Sequence, residues 1–324
     1  MDRRQLGEKF RGALFGVALG DALGAPFEGR PGLGERLSLP DAEQEPGQLV
    51  YTDDTHMTLG VAESLVASQG FDGAHMAETF ARNYEEEPWR GYGAGPPQIF
   101  QLLRRGIPWN ETGRMLFGGT GSYGNGAAMR VAPIALAYYD DTAEMLKAAR
   151  QSASITHAHK LGIEGAALQA LAVALLLREP PGARVSGSAL TEVLVAHAND
   201  APAAIYVDKL RGVKELLPEA SPLEVVSRLG NGIEAYEAVP AALYCFLRRP
   251  TSFSEAVRYA ISLGGDTDTI ASMTGALSGA YLGESAIPSN WLRRLEGSES
   301  IGRFADALLE LALGGRKQQR RRHT

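Results

Sequence analysis

Glycine falls at positions 12, 16, 20 and 24 within a stretch whose apolar residues Phe10, Leu14, Val17 and Leu23 keep helical spacing. A glycine in a helix interior costs about 1 kcal/mol relative to alanine. A helix that carries several of them needs a compensating interaction, and close contact with another helix in one core supplies it. A second stripe, Ile270, Met273, Leu277 and Tyr281, is interleaved with Gly275, Ala276, Ser278 and Gly279. Both segments are therefore expected to be central helices. Met57, Val61 and Leu65 repeat the pattern at i, i+4, i+8, and no series of alternating strands is found. The expected fold class is all-α.

A chain of 324 residues allows one large domain or two small ones. No linker divides it, so a single domain is expected over residues 1–313. The segment from Gly314, with its Arg-Lys-Gln-Gln-Arg-Arg-Arg cluster, is expected to be a disordered basic tail. The net charge of −6 gives no general electrostatic footprint for nucleic acid or anionic lipid. Any phosphate must then be held locally, by backbone N–H groups, a metal or a single arginine. One cysteine, Cys245, excludes an internal disulfide and reads as a buried apolar side chain. The N-terminus has charges of both signs and no apolar h-region. The apolar run Leu161 to Leu177 contains Glu164 and Gln169 and reads as a buried helix, too short and too polar for a bilayer. A cytoplasmic monomer with no membrane contact is the expectation.

Two acidic clusters carry the chemistry. Tyr51-Thr52-Asp53-Asp54-Thr55 precedes the Met57 stripe, and Gly264-Gly265-Asp266-Thr267-Asp268-Thr269 precedes the Ile270 stripe. Each puts two carboxylates and two hydroxyls at a helix start. Helix capping is the plain reading of one such cluster. A cap, however, uses one acceptor, and each cluster offers at least four oxygen groups. Two helix starts that meet would leave carboxylates too close to stay ionised without a cation. Oxygen ligands without His or Cys suit Mg²⁺, Mn²⁺ or Ca²⁺ rather than zinc. A third acidic element holds Asp21, inside the glycine-bearing helix, and Glu28, which follows Pro26 and projects from a loop. Asp21 reads equally as a site residue or as a buried carboxylate that fixes neighbouring backbone.

Residues 117–130, Phe-Gly-Gly-Thr-Gly-Ser-Tyr-Gly-Asn-Gly-Ala-Ala-Met-Arg, cannot form regular helix throughout. A glycine-rich loop that opens onto a helix can present backbone N–H groups to a phosphate. Ser122 and Asn125 add side-chain hydrogen bonds, and Phe117 and Tyr123 offer aromatic faces. Helix is expected over 127–137, with Pro133 at a kink or at a new first turn. His157 and His159 are placed on different sides of a helix, which is poor for joint metal binding. His157 reads as a hydrogen-bonding or stacking residue and His159 as a surface histidine. Residues 29–48 and 85–98 are expected to be long loops of the kind that often carry function.

Together these segments resemble the ADP-ribosylglycohydrolase family, also called the dinitrogenase-reductase-activating-glycohydrolase family. The resemblance runs from Gly12 to Gly283 through Gly20-Asp21…Glu28, Tyr51 to Thr55, Gly124 to Arg130, Thr156-His157 and Gly264 to Thr269. It implies an all-α orthogonal bundle with a binuclear magnesium centre, manganese being a possible substitute. By position, Thr52, Asp53, Asp54, Asp266, Asp268 and Thr269 would hold the metals. Glu28 matches a glutamate on a mobile flap. Gly121, Ser122, Tyr123, Gly124, Asn125 and Gly126 would cradle a diphosphate, with Phe117 and His157 around an adenosine. The loop looks most like the branch that cleaves serine-linked ADP-ribose; the arginine-specific branch is the alternative.

The implied reaction breaks the glycosidic bond of an ADP-ribosylated protein or an ADP-ribose-containing small molecule, with poly-ADP-ribose and O-acetyl-ADP-ribose as further candidates. Glu28 and Asp266 are the candidates for acid–base work. Two rival readings stay open: a two-metal nucleotide phosphohydrolase, and a non-catalytic ADP-ribose-binding protein.

Overall fold

The computed structural model describes residues 1–32, 47–180, 182–198, 204–217 and 219–322, with side chains up to residue 314. Among the described residues there are seventeen α-helices and no strand. In chain order they are α1 (Arg3–Gly24), α2 (Asp53–Ala67), α3 (Gly73–Glu86), α4 (Gly95–Arg104), α5 (Trp109–Thr112), α6 (Gly126–Met129), α7 (Ala132–Ala137), α8 (Thr142–Ser154) and α9 (Lys160–Arg178). They continue as α10 (Gly187–His197), α11 (Ala204–Leu216), α12 (Pro222–Leu229), α13 (Ala235–Arg248), α14 (Phe253–Ser262), α15 (Thr267–Leu282), α16 (Ser289–Arg294) and α17 (Ser298–Arg322). The all-α expectation holds.

Helices α1 and α15 form the centre and run antiparallel, backbone against backbone. A Cβ on Gly16 would stand 2.1 Å from the Gly275 carbonyl oxygen, and one on Gly20 the same distance from that of Ala271. A Cβ on Gly279 would stand 1.9 Å from the Gly12 carbonyl oxygen. The helix cost of these glycines is thus the condition for an approach that no side chain permits. The register, Gly12 against Gly279 and Gly24 against Thr267, has a functional result. It sets the C-terminus of α1, which leads to Glu28, beside the N-terminus of α15, which carries Asp266 and Asp268.

Helix α9 spans 19 residues with a mean hydropathy of 1.6, long and apolar enough to cross a bilayer by length and composition. That corrects the sequence reading of the run as too short and too polar. Here it is a core helix, packed against α6, α7, α8, α13 and α15. Cys245 is buried on α13, as expected. Pro133 opens a new first turn, so the 127–137 segment is two helices, α6 and α7. Of the two long loops, 85–98 is helical at both ends, where α3 closes and α4 opens. Most of 29–48 lies outside the described residues. The backbone of α17 continues as helix to Arg322, past the point where the sequence reading begins a disordered tail. Arg, Lys and Gln are good helix formers, and the helix is already anchored by buried Ile301, Ala305 and Leu308.

Candidate active site

After α1 the chain makes one 3₁₀ turn, Ala25–Phe27, and Glu28 leaves it in an extended conformation. The next residues are pinned to the turn before α15: Gly29 N–H donates to the Gly265 carbonyl (2.9 Å), and Gly265 N–H donates to that of Arg30 (3.0 Å). Gly264 and Gly265 have φ of 71° and 72°, and a Cβ on Gly265 would stand 2.1 Å from the Asn231 carbonyl oxygen. Only glycine fits this turn. Its consequence is that Glu28, Asp266 and Asp268 can each offer an oxygen, all within 4.8 Å of one another.

The second cluster is held by Asp21. Its buried carboxylate accepts hydrogen bonds from the N–H and Oγ1 of Thr52 and from the N–H (2.9 Å) and Oγ1 (2.6 Å) of Thr55. Asp21 is therefore the fixing carboxylate of the two sequence readings: it caps the start of α2 from another helix. Neither Thr52 nor Asp266, the residues at the N-cap positions of α2 and α15, makes a side-chain cap hydrogen bond. Capping does not account for the two acidic clusters. Asp54 Oδ2 accepts from Thr269 Oγ1 at 3.2 Å, which joins the clusters, while Asp54 Oδ1 is buried with no partner.

Electrostatics point the same way. Burial first, then the charges of Asp21 and Asp268, push Asp53 up to about 7. The same causes hold Asp54 well above the usual carboxylate range. Burial and then Asp268 do so for Asp266, and Asp268 followed by burial raises Glu28. Buried carboxylates this close call for a cation. The oxygen-only donor set and the orphaned Asp54 oxygen fit a hard divalent ion. Thr52, Asp53, Asp54, Asp266, Asp268 and Thr269 would hold it, and the geometry adds Glu28 to that set.

A cavity of about 260 Å³ opens on this cluster. Carboxylates and threonines of the two clusters line it together with Phe117, Ser122, Gly124, Asn125, Gly126 and His157. The glycine loop is tied to the acidic cluster directly, because Asn125 Nδ2 donates to Asp266 Oδ2 at 2.5 Å. It is tied to the body of the fold by Asn125 N–H on the Ile233 carbonyl (2.8 Å) and by Ala235 N–H on that of Tyr123 (3.0 Å). Gly121 and Tyr123 do not line the cavity. Gly121, at φ 74°, seats the loop against the backbone of His159, and the half-exposed Tyr123 ring meets the His159 ring edge-on at 5.5 Å. His159 is the N-cap of α9, its Nδ1 accepting from Leu161 N–H, so both histidines precede that helix rather than lie within one.

Arg130 donates to Thr156 Oγ1 at 2.7 Å, and the same hydroxyl lies 2.7 Å from His157 Nδ1. When the hydroxyl proton goes to Nδ1, the ring proton is on Nε2, the nitrogen beside Gly124 and Gly126. Burial, with Arg130 adding to it, pulls the ring down to about 3, so His157 is a neutral donor at ordinary pH.

Several lining residues were not singled out from sequence. Arg130, fully buried and stacked 4.7 Å from the Phe80 ring centre, stands behind His157. Met57, Met129 and Ile233 supply apolar surface. Gly91, Gly93, Ala94, Gly95 and Pro96 bring the middle of the 85–98 segment to the cavity. The glycine and proline content of that segment was the available signal.

An all-α core that gathers two acidic helix starts and a glycine-rich loop around one cavity is the arrangement expected of an ADP-ribosylglycohydrolase. Residues 2–318 match the ADP-ribosylglycohydrolase family, and the chain belongs to it. It is 42% identical over 340 residues to ADP-ribosylhydrolase ARH3 of Bos taurus, covering 93% of this chain and 92% of that one. To the Homo sapiens ADP-ribosylhydrolase ARH3 it is 41% identical, with the same coverage. A solved structure titled ADP-ribosylglycohydrolase-related protein complex superposes with a TM-score of 0.72 at 30% identity, covering 95% of this chain and 99% of that chain.

Proposed function

We propose that this protein hydrolyses the glycosidic bond that joins ADP-ribose to a modified substrate, with serine as the linked residue. The observation that carries the reading is the single cavity in which Asn125 ties the phosphate-type loop to the acid cluster. Such a cavity can hold a diphosphate at one end and a ribose carbon at the other. The similarity to ADP-ribosylhydrolases ARH3 supports it.

The chain's own residues have distinct tasks. Backbone N–H groups of the Ser122–Gly126 loop and the Nε2–H of His157 donate to the diphosphate and its neighbouring sugar. Phe117, exposed at the rim with φ of 52°, offers its ring to the adenosine. The reaction adds water across the bond: hydroxide to the ribose carbon and a proton to the departing oxygen, through an oxocarbenium-like state. Glu28 and Asp266 exchange those protons, both carrying raised affinity for a proton and lying in one triad. Two magnesium ions, replaceable by manganese, supply when bound the positive charge that keeps the carboxylates ionised and the Lewis acidity the chemistry needs.

Product mass tests the reaction class. Intact ADP-ribose, released only with a divalent cation, is the expected product. AMP or free phosphate would contradict the reading and favour a nucleotide phosphohydrolase. Binding without turnover would favour an ADP-ribose-binding protein.

A further inference from the structure

Beside the cavity lies a second, shallower groove of about 500 Å³ that shares Thr52 and Gly91 with it. Among the described residues, none of 117–126 lines this groove. Its floor is rigid. Arg90 lies 4.4 Å from the Tyr51 ring centre and is held by Glu296 at 2.7 and 2.9 Å and by Glu87. Its walls are apolar and open to solvent: Trp89 is 70% exposed and Val50 52%. Trp89 is not among the residues that line the cavity.

Position decides what the groove can hold. In the reaction proposed above, on which this inference rests, the ADP-ribose runs from the acidic cluster toward the glycine loop. The group on the far side of the broken bond must then leave the cavity at the acidic end, away from that loop. The groove begins there, at the residue before Asp53. Its charge narrows the choice further. One guanidinium faces two carboxylates, Glu87 and Glu296, so one negative charge is left over. This rim repels a polyphosphate chain and attracts a cationic side chain, which Trp89 can also stack against.

We propose that this groove seats the polypeptide that carries the modification, with a lysine or arginine next to the modified residue placed over Trp89. Affinity for the substrate is then shared between the ADP-ribose cavity and the flanking peptide.

The test compares wild-type full-length protein with Trp89→Ala and Trp89→Phe, in magnesium, on three substrates. These are a serine-ADP-ribosylated peptide with flanking lysines, the N-acetyl, C-amide conjugate of ADP-ribosylserine alone, and poly-ADP-ribose. For Trp89→Ala the KM on the peptide is expected to rise about tenfold, the size of one aromatic anchor. The small conjugate should be hydrolysed unchanged, which also shows that the variant folds, and Trp89→Phe should recover most of the loss. An unchanged peptide KM, or an equal loss on peptide and small conjugate, would overturn the proposal. A loss confined to poly-ADP-ribose would overturn it in favour of a polymer subsite. A wild-type protein that hydrolyses neither serine substrate would contradict the reaction itself, and the groove assignment with it.

Discussion

At the scale of single residues, Asp21 does for α2 what the threonine at its own N-cap position does not. Four donors from Thr52 and Thr55 converge on one buried carboxylate. Asparagine keeps one acceptor oxygen and turns an NH₂ toward donors. Asp21→Asn is therefore expected to cost about 2–3 kcal/mol in chemical denaturation, the scale for hydrogen bonds to a charged group. It should also weaken magnesium binding, read by calorimetry; unaltered stability and affinity would refute the capping role. Asp53→Ala and Asp268→Ala should each lower turnover by more than about a hundredfold and reduce the stabilisation that magnesium gives, since metal ligands outweigh the outer-shell groups whose loss already costs 10–100-fold. The acidic residues were legible because their type and number exceed what a helix start needs. Asp21 was ambiguous, because one buried Asp looks the same whether it binds a ligand or a backbone. Gly121 and Tyr123 read as cavity residues through loop membership alone, and the fold turns them toward His159 instead.

Among elements, the contact of α1 with α15 links packing to chemistry. The glycines pointed to close helix contact, and the structure adds the register that sets Glu28 beside Asp266 and Asp268. Gly20→Ala and Gly275→Ala each gain about 1 kcal/mol in helix propensity. Each also forces a Cβ into backbone, at 2.1 and 2.0 Å respectively. The clash should dominate, with a net loss of about 1–3 kcal/mol or more and a weaker magnesium response from the displaced triad. A gain in thermal stability would show that the helices can part freely. The 85–98 segment was legible as a glycine- and proline-rich functional loop, but the approach of 91–96 to this cavity, and of Ile233 to the glycine loop, was not. Both depend on how elements far apart in sequence pack, and neither segment carries a charge or periodic pattern that marks its partner.

For the whole molecule, two sets of groups make stability depend on pH with opposite sign. Asp53 and Asp21 titrate near 7 and 6 in the folded protein, against 3.8 when unfolded. Their contribution is complete below about 3.8 and is lost as pH rises through 6–7. His157 is displaced downward, from 6.5 to about 3, so its contribution is complete above 6.5 and is lost as pH falls toward 3. From pH 3.8 to 6 the two carboxylates outweigh the one histidine, so without a divalent ion thermal stability should peak near about pH 4 and fall toward neutrality. Magnesium held by the cluster would replace its protons, so its stabilising effect should grow from pH 5.5 to pH 8 and move the peak upward. A magnesium effect independent of pH would argue that the ion binds elsewhere.

The central claim is that one cavity, acidic at one end and glycine-lined at the other, removes ADP-ribose from serine with the help of a divalent ion. The direct measurement is release of ADP-ribose from matched serine-linked and arginine-linked peptides, each with magnesium and with a chelator. Release from the serine peptide alone, abolished by the chelator, is the predicted result. Release from the arginine peptide alone would contradict the assigned linkage. Release that survives the chelator would contradict the role given to the acidic cluster.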